Sequence, residues 1–290
     1  MATQDPLRSI NEQFLNEYSS EQAIRKYTRE TAGNGISYLL EKDYSDIYLD
    51  ALKRAVWKSG AQDGVRILEF GCGGGMNLLH LISLMERNGI ALQHAYGTDF
   101  SPTLIDAANR EAKTYLSHRH REKVHFCVAR NENLLEDLAA ALSITNNALL
   151  GSFQFILGVN TFRYCHRLKR ELECTKAIFD LLGEGGMCVM IDMNRGFPLF
   201  RSRFRDRLVK KRESYYLPSL DEYARPFSSV GFQILRRSNF CWIPHSAGPR
   251  LSQLLRALTP ALDSIAPNHA MRSLVVAQKP RTTGDLRATP

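Results

Sequence analysis

The chain has 290 residues, 44% hydrophobic and 23% charged, which fits one large or two small globular domains and excludes a disordered chain. Its 38 Lys and Arg against 30 Asp and Glu leave a net charge of +8, compatible with a polyanion, a membrane surface or an anionic substrate as partner. The opening MATQDPLRSI holds no secretory apolar run, and no stretch reaches the roughly 18 to 20 apolar residues of a membrane span, so a soluble, cytoplasmic protein is expected.

Residues 1–60 read as a helical cap, too small to hold a core of its own. Ser19-Ser20-Glu21-Gln22 offers a capping box, Gly33 and Gly35 interrupt the pattern, and Tyr44, Ile47, Tyr48, Ala51, Leu52, Ala55 and Val56 recur at helical spacing. From Val65 the period changes. Apolar runs at 65–70, 95–98, 124–128, 153–159 and 187–193 alternate with helices over about 75–88, from Ser101-Pro102 onward, over 134–142 and over about 168–182. This alternation predicts an α/β, doubly wound, Rossmann-like parallel sheet with both faces covered, within residues 61–279. Gly89 and Gly183 stand where helix C-caps belong. After a capping box at Ser219 to Glu222 and its helix, 232–235 and 273–277 read as two strands separated by a long connection, and 280–290 as a disordered polar tail. Cys72, Cys127, Cys165, Cys174, Cys188 and Cys241 form no C-x-x-C pair, so buried, reduced thiols are expected rather than a disulfide framework or a zinc site.

The informative stretch runs from Val65 through Glu69-Phe70 into Gly71-Cys72-Gly73-Gly74-Gly75. A strand entering a glycine-rich turn that opens a helix lets backbone N–H groups approach a ligand closely. Met76 stands where a dinucleotide G-x-G-x-x-G pattern has its third glycine; the glycines fall instead at 71, 73 and 75, after Glu69. A carboxyl closing a buried strand implies a cationic ligand or nearby donors.

With these residues the chain resembles the class I S-adenosylmethionine-dependent methyltransferases, whose first motif is an acid followed by G-x-G-x-G. The resemblance covers about 65–195, with landmarks in order. Tyr96-Gly97-Thr98-Asp99-Phe100-Ser101-Pro102 resembles the second strand, whose terminal acid bonds the cofactor ribose; Phe153 to Asn160 resembles the fourth strand; Leu181-Leu182-Gly183-Glu184-Gly185-Gly186 resembles the turn before the fifth. The resemblance implies S-adenosyl-L-methionine as cofactor, held by Glu69, Gly71, Gly73, Gly75, Asp99, Phe100 and Val159. It also implies seven strands, mostly parallel with an antiparallel last strand, and helical insertions at about 194–218 and 239–270. Many relatives carry an adenine-binding acid after the third strand. This chain reads Ala129-Arg130-Asn131-Glu132 there, which passes the adenine to Arg130, Asn131 or backbone groups. Gln154 replaces another common acid and reads as structural.

Methyl transfer from a sulfonium is an in-line displacement, so alignment and exclusion of water supply most of the rate, and a base is needed only for an acceptor that loses a proton. After the fourth strand, Tyr164 and His166 are candidates to position or deprotonate the acceptor. In the 239–270 insertion, Trp242 and His245 are expected to roof the acceptor pocket, ahead of an amphipathic helix broken at Pro260; padding of the outer face is the alternative. Tyr27 or Tyr38 is a candidate to close over the cofactor. His118 and His120 lack the carboxylate or thiol company of a metal site.

Residues 193–212 carry Arg195, Arg201, Arg203, Arg205, Arg207, Lys210, Lys211 and Arg212 against one acid, Asp206, and so hold seven of the eight net charges. Phe197, Phe200, Phe204 and Leu208 share one face of a helix there. The segment 195–212 reads as contact with an anionic or lipid-like substrate or a membrane surface, or as a solvated basic face. Residues 27–44 resemble bacterial secondary-metabolite methyltransferases. The resulting expectation is methylation of a small-molecule acceptor, from secondary metabolism or lipid-like. One alternative is a nucleic-acid methyltransferase, disfavoured because Asn160-Thr161-Phe162 stands in place of Asn-Pro-Pro-Tyr and no Pro-Cys nucleophile occurs. The other is a catalytically silent, cofactor-binding partner protein.

Overall fold

The computed structural model describes residues 15–20, 28, 40–61, 63–200, 216–244 and 247–281. Seven strands form one sheet: β1 (Val65–Phe70), β2 (Leu92–Asp99), β3 (Val124–Val128), β4 (Phe153–Val159), β5 (Leu182–Met193), β6 (Gln233–Phe240) and β7 (Arg272–Gln278). Their order is β3-β2-β1-β4-β5-β7-β6, with β1 to β5 paired in parallel and β7 antiparallel to both β5 and β6. The order reverses between β1 and β4, and ligand sites of open parallel sheets lie beyond the strand carboxyl ends at such a point.

The helices are α1 (Ser45–Ser59), α2 (Met76–Arg87), α3 (Pro102–Tyr115), α4 (Leu134–Ala141), α5 (Phe162–Arg167), α6 (Glu171–Leu181), α7 (Leu220–Val230) and α8 (Pro249–Ile265). Residues of α1 and α2 share a core with Ile67, Leu157, Val189 and Ile191; residues of α4 to α7 share a second core with Leu68, Ile156, Cys188 and Met190. Alternate residues of one strand thus enter opposite cores, which is why these strands read as unbroken apolar runs. On α1 the periodic positions Ile47, Tyr48, Ala51, Leu52 and Ala55 are buried. The Ser101 side chain accepts from Leu104 N at the start of α3 with Pro102 next, and the Ser219–Glu222 box caps α7 reciprocally. All six cysteines are free thiols, five of them buried. No described helix is long and apolar enough to cross a membrane.

Several boundaries differ from expectation. The helix expected over about 168–182 is α6, which starts only at Glu171, because Lys169 adopts φ +56° and separates it from the short helix α5 before it. Gly183 is not a helix cap. It lies in β5, where a Cβ would stand 2.8 Å from Gly151 O, and the left-handed turn falls on Gly185 at φ +77°. β6 extends to Phe240, past Arg236 and Arg237, whose charges suit a partly exposed edge strand and hide the period. α8 continues through Pro260. That proline is exposed, so water can satisfy the carbonyl that it leaves unbonded, and Leu255 and Leu262 pack the helix against the first core. The Ser19–Gln22 capping box, Gly33, Gly35 and the tail lie wholly or partly outside the described residues.

Candidate active site

The carboxyl ends of β1 and β2 each carry a buried acid, Glu69 and Asp99. Glu69, 1% exposed, accepts from Leu78 N at 2.8 Å and from Asn77 Nδ2 at 3.2 Å, so it binds the first turn of α2. Tyr48 OH donates to Asn77 Oδ1 at 3.1 Å and brings α1 into the network. Burial raises the Glu69 carboxyl to about 8 against the lowering by Asn77 and Leu78. The donors inferred for Glu69 are therefore this amide and this asparagine.

Asp99 is placed to hold the glycine turn. Its Oδ2 accepts from Gly73 N and its Oδ1 from Ser101 N, each at 2.9 Å, and burial raises it to about 6. Two carboxylate oxygens offer about four acceptor sites, so capacity remains for ligand hydroxyls. Gly71, Gly73 and Gly75 all have positive φ. At Gly71 a Cβ would stand 2.7 Å from Thr161 Cγ2, so any side chain would close the gap between the turn and the loop after β4.

Above this turn, Phe100 lies parallel to Tyr164 at 5.9 Å and meets Tyr18 edge-on at 5.4 Å. Arg163 donates to Tyr18 OH at 2.8 Å and to Glu17 Oε2 at 2.7 Å, and Ser101 Oγ donates to Tyr18 O. The N-terminal aromatic seen here is Tyr18; Tyr27 and Tyr38 lie outside the described residues. Arg130 forms a bidentate pair with Asp137, which holds that carboxyl down at about 2. Asn131 is buried, and its Nδ2 donates to Thr161 O at 3.0 Å. Val159 is half-buried at the end of β4, followed by Asn160 at φ +58°.

The structure divides the two candidates after β4. Tyr164 belongs with Phe100, whereas His166 Nδ1 lies 2.5 Å from Glu171 Oε1 and its ring 4.6 Å from that of Tyr216. For a neutral imidazole this contact selects the Nδ1–H tautomer and leaves Nε2 as an acceptor. His245 and residues 201–215 lie outside the described residues. Trp242 is buried in the first core, with Nε1 donating to Asp263 Oδ1 at 2.7 Å, so it fastens α8 rather than roofing a pocket. His118 and His120 sit in a single helical turn near Glu122 and Glu86.

Sequence reasoning missed Asp192, 2% exposed near the end of β5, although an acid closing an apolar run was the same signal as at Glu69. Its Oδ1 accepts from Met193 N at 2.8 Å, and burial raises it to about 7 against the lowering by that bond and by Arg272. Arg272, fully buried on β7, donates to Asn160 Oδ1 at 2.6 Å. Asn194 Nδ2 donates to the carbonyls of Asn268 and Ala270, fixing the path out of β5. The rim thus combines a glycine cradle with strand-end carboxyls and a histidine–glutamate pair.

The methyltransferase domain family matches residues 25–237. Geranyl diphosphate C-methyltransferase from Streptomyces coelicolor A3(2), solved with Mg2+, geranyl diphosphate and S-adenosyl-L-homocysteine, is similar in fold, with a TM-score of 0.60 at 15% identity, covering 96% of this chain and 100% of that one. Phosphoethanolamine N-methyltransferase 2 of Haemonchus contortus, solved with S-adenosyl-L-methionine, gives a TM-score of 0.58 at 16% identity over 94% of this chain and 60% of that one. No curated protein sequence matches the chain.

Proposed function

Because the chain belongs to the class I S-adenosylmethionine-dependent methyltransferases, we propose that it methylates a small, anionic or lipid-like acceptor at the carboxyl rim of β1, β2, β4 and β5. When bound, the cofactor supplies a methyl group on a sulfonium, an electrophile with a neutral leaving group. The single observation that carries the cofactor assignment is Asp99, whose backbone bonds shape the glycine turn and leave acceptor capacity for ribose hydroxyls. Gly71, Gly73 and Gly75 keep the cradle open, and Glu69 braces it from α2. Phe100, with Tyr164 and Tyr18 packed on it, offers an apolar wall for the adenine. Asn131, whose Nδ2 lies 3.1 Å from the Cβ position of Gly71, and Val159 at the end of β4 are assigned to the same cofactor, while the Asp137 pair leaves Arg130 its guanidinium face for stacking.

On the acceptor side, Glu171 orients His166 so that Nε2 can take a proton from a hydroxyl or ammonium acceptor. His245 is kept as a second candidate in the 239–270 insertion. An anionic acceptor is favoured by the seven net charges of residues 193–212 and by the two neighbours, both named for phosphorylated small molecules. The test is incubation with methyl-labelled cofactor and a small-molecule extract, followed by mass spectrometry. A labelled small product is expected, formed at least tenfold more slowly by His166→Gln with cofactor affinity unchanged. An unchanged rate removes His166 from the chemistry, and label that enters RNA or DNA added in a parallel incubation but no small molecule refutes the acceptor class.

A further inference from the structure

At the end of the sheet opposite the rim, Arg66 on β1 pairs in register with His94 on β2, and Tyr96 with His125 on β3. The rings form a continuous group, with His94 to His125 at 5.8 Å, His94 to Tyr96 at 6.1 Å and Tyr96 stacked on His125 at 5.4 Å. The Arg66 guanidinium lies 5.9 Å from the Tyr96 ring centre and 5.5 Å from that of Phe153, so aromatic faces fix it in place. We propose that this group, Arg66, His94 and His125, is a second binding site, specific for a small oxyanion such as a phosphate or carboxylate group.

Two independent observations point to an anion. Arg66 Nε and His94 Nδ1 are each buried without a hydrogen-bond partner among the described residues, and the guanidinium N–H is an obligatory donor. A covered N–H without an acceptor is costly, and an oxyanion supplies acceptors for several at once. Burial, acting most, and His125, Arg66 and Lys123 beside it all hold the His94 imidazole below the ordinary histidine range, and the fixed cations among these, Arg66 and Lys123, are of the sign an anion needs. Lys123 Nζ is itself tied to Leu92 O at 2.7 Å, so it adds charge at a fixed place rather than a free donor. Arg66 N donates to Gln154 Oε1 at 2.8 Å, which anchors the backbone beneath the site. His125 is exposed and Arg66 and His94 half-buried, so a small ligand has access that a helix over this end of the sheet would deny.

The test uses the full chain and follows the histidine ring resonances by NMR while inorganic phosphate is added at constant ionic strength, with chloride as control and acetate as a second arm. Saturable shifts confined to His94 and His125 are expected, with half-saturation rising at least tenfold in Arg66→Gln. His94→Gln, read through His125, gives the same comparison if Arg66→Gln fails to fold. Saturation by phosphate alone assigns a phosphate site and saturation by both anions a general oxyanion site. Shifts that chloride reproduces, or that survive in both variants, overturn the proposal. Calorimetric affinity for S-adenosylmethionine is expected to be unchanged in Arg66→Gln, because Arg66 lies at the amino end of β1.

Discussion

Three carboxyls close strands of this sheet, and burial raises each of them: Glu69 to about 8, Asp192 to about 7 and Asp99 to about 6. Such a group keeps its proton in the folded chain at a pH where the unfolded chain has lost it. Its contribution to stability is therefore complete below the ordinary carboxylate range and is lost as pH rises through the folded value. Without cofactor, thermal stability is expected to fall between about pH 5 and pH 8, and Glu69→Gln should flatten that fall by at least about 1 kcal/mol. An identical pH profile for the variant would mean that Glu69 ionises freely. The same burial suits a cationic ligand, which favours the charged form of nearby carboxylates.

At the scale of elements, the glycine turn and the loop after β4 form one unit. Gly71→Ala would force a left-handed alanine and set its Cβ 2.7 Å from Thr161 Cγ2, so a loss of more than about 1 kcal/mol in urea denaturation is expected, with weaker cofactor binding. Full stability in that variant would show that the loop moves aside easily. How far the elements were legible follows the same physics. β1, β3 and β4 carry side chains for two cores and announce themselves as apolar runs, and Ser101-Pro102 and the Ser219 box mark helix starts by local chemistry. β6 was legible only at its start, since an edge strand bearing Arg236 and Arg237 shows no apolar run. Pro260 misled because its cost depends on exposure, and the Tyr18–Arg163 contact spans 145 residues with no local signal.

Across the whole molecule, charge and fold divide the labour. The seven net charges in residues 193–212 follow directly after β5, whose carboxyl end lies on the rim, so the rest of the chain is nearly neutral. The protein is therefore not expected to coat nucleic acid. Its affinity for RNA or DNA is expected to be weak at physiological salt and to carry no methylation, whereas tight binding with a steep salt dependence and labelled bases would reverse that expectation. The proposed cofactor end, by contrast, draws on groups spread over β1, β2 and β4 that only the folded sheet brings together. The most direct measurement of that arrangement is titration calorimetry of S-adenosylmethionine into the wild-type protein and Asp99→Ala. One saturable site is expected, weakened at least tenfold, about 1.4 kcal/mol, in the variant; equal affinity in the two proteins would contradict the assignment of the glycine turn and Asp99 as the cofactor site.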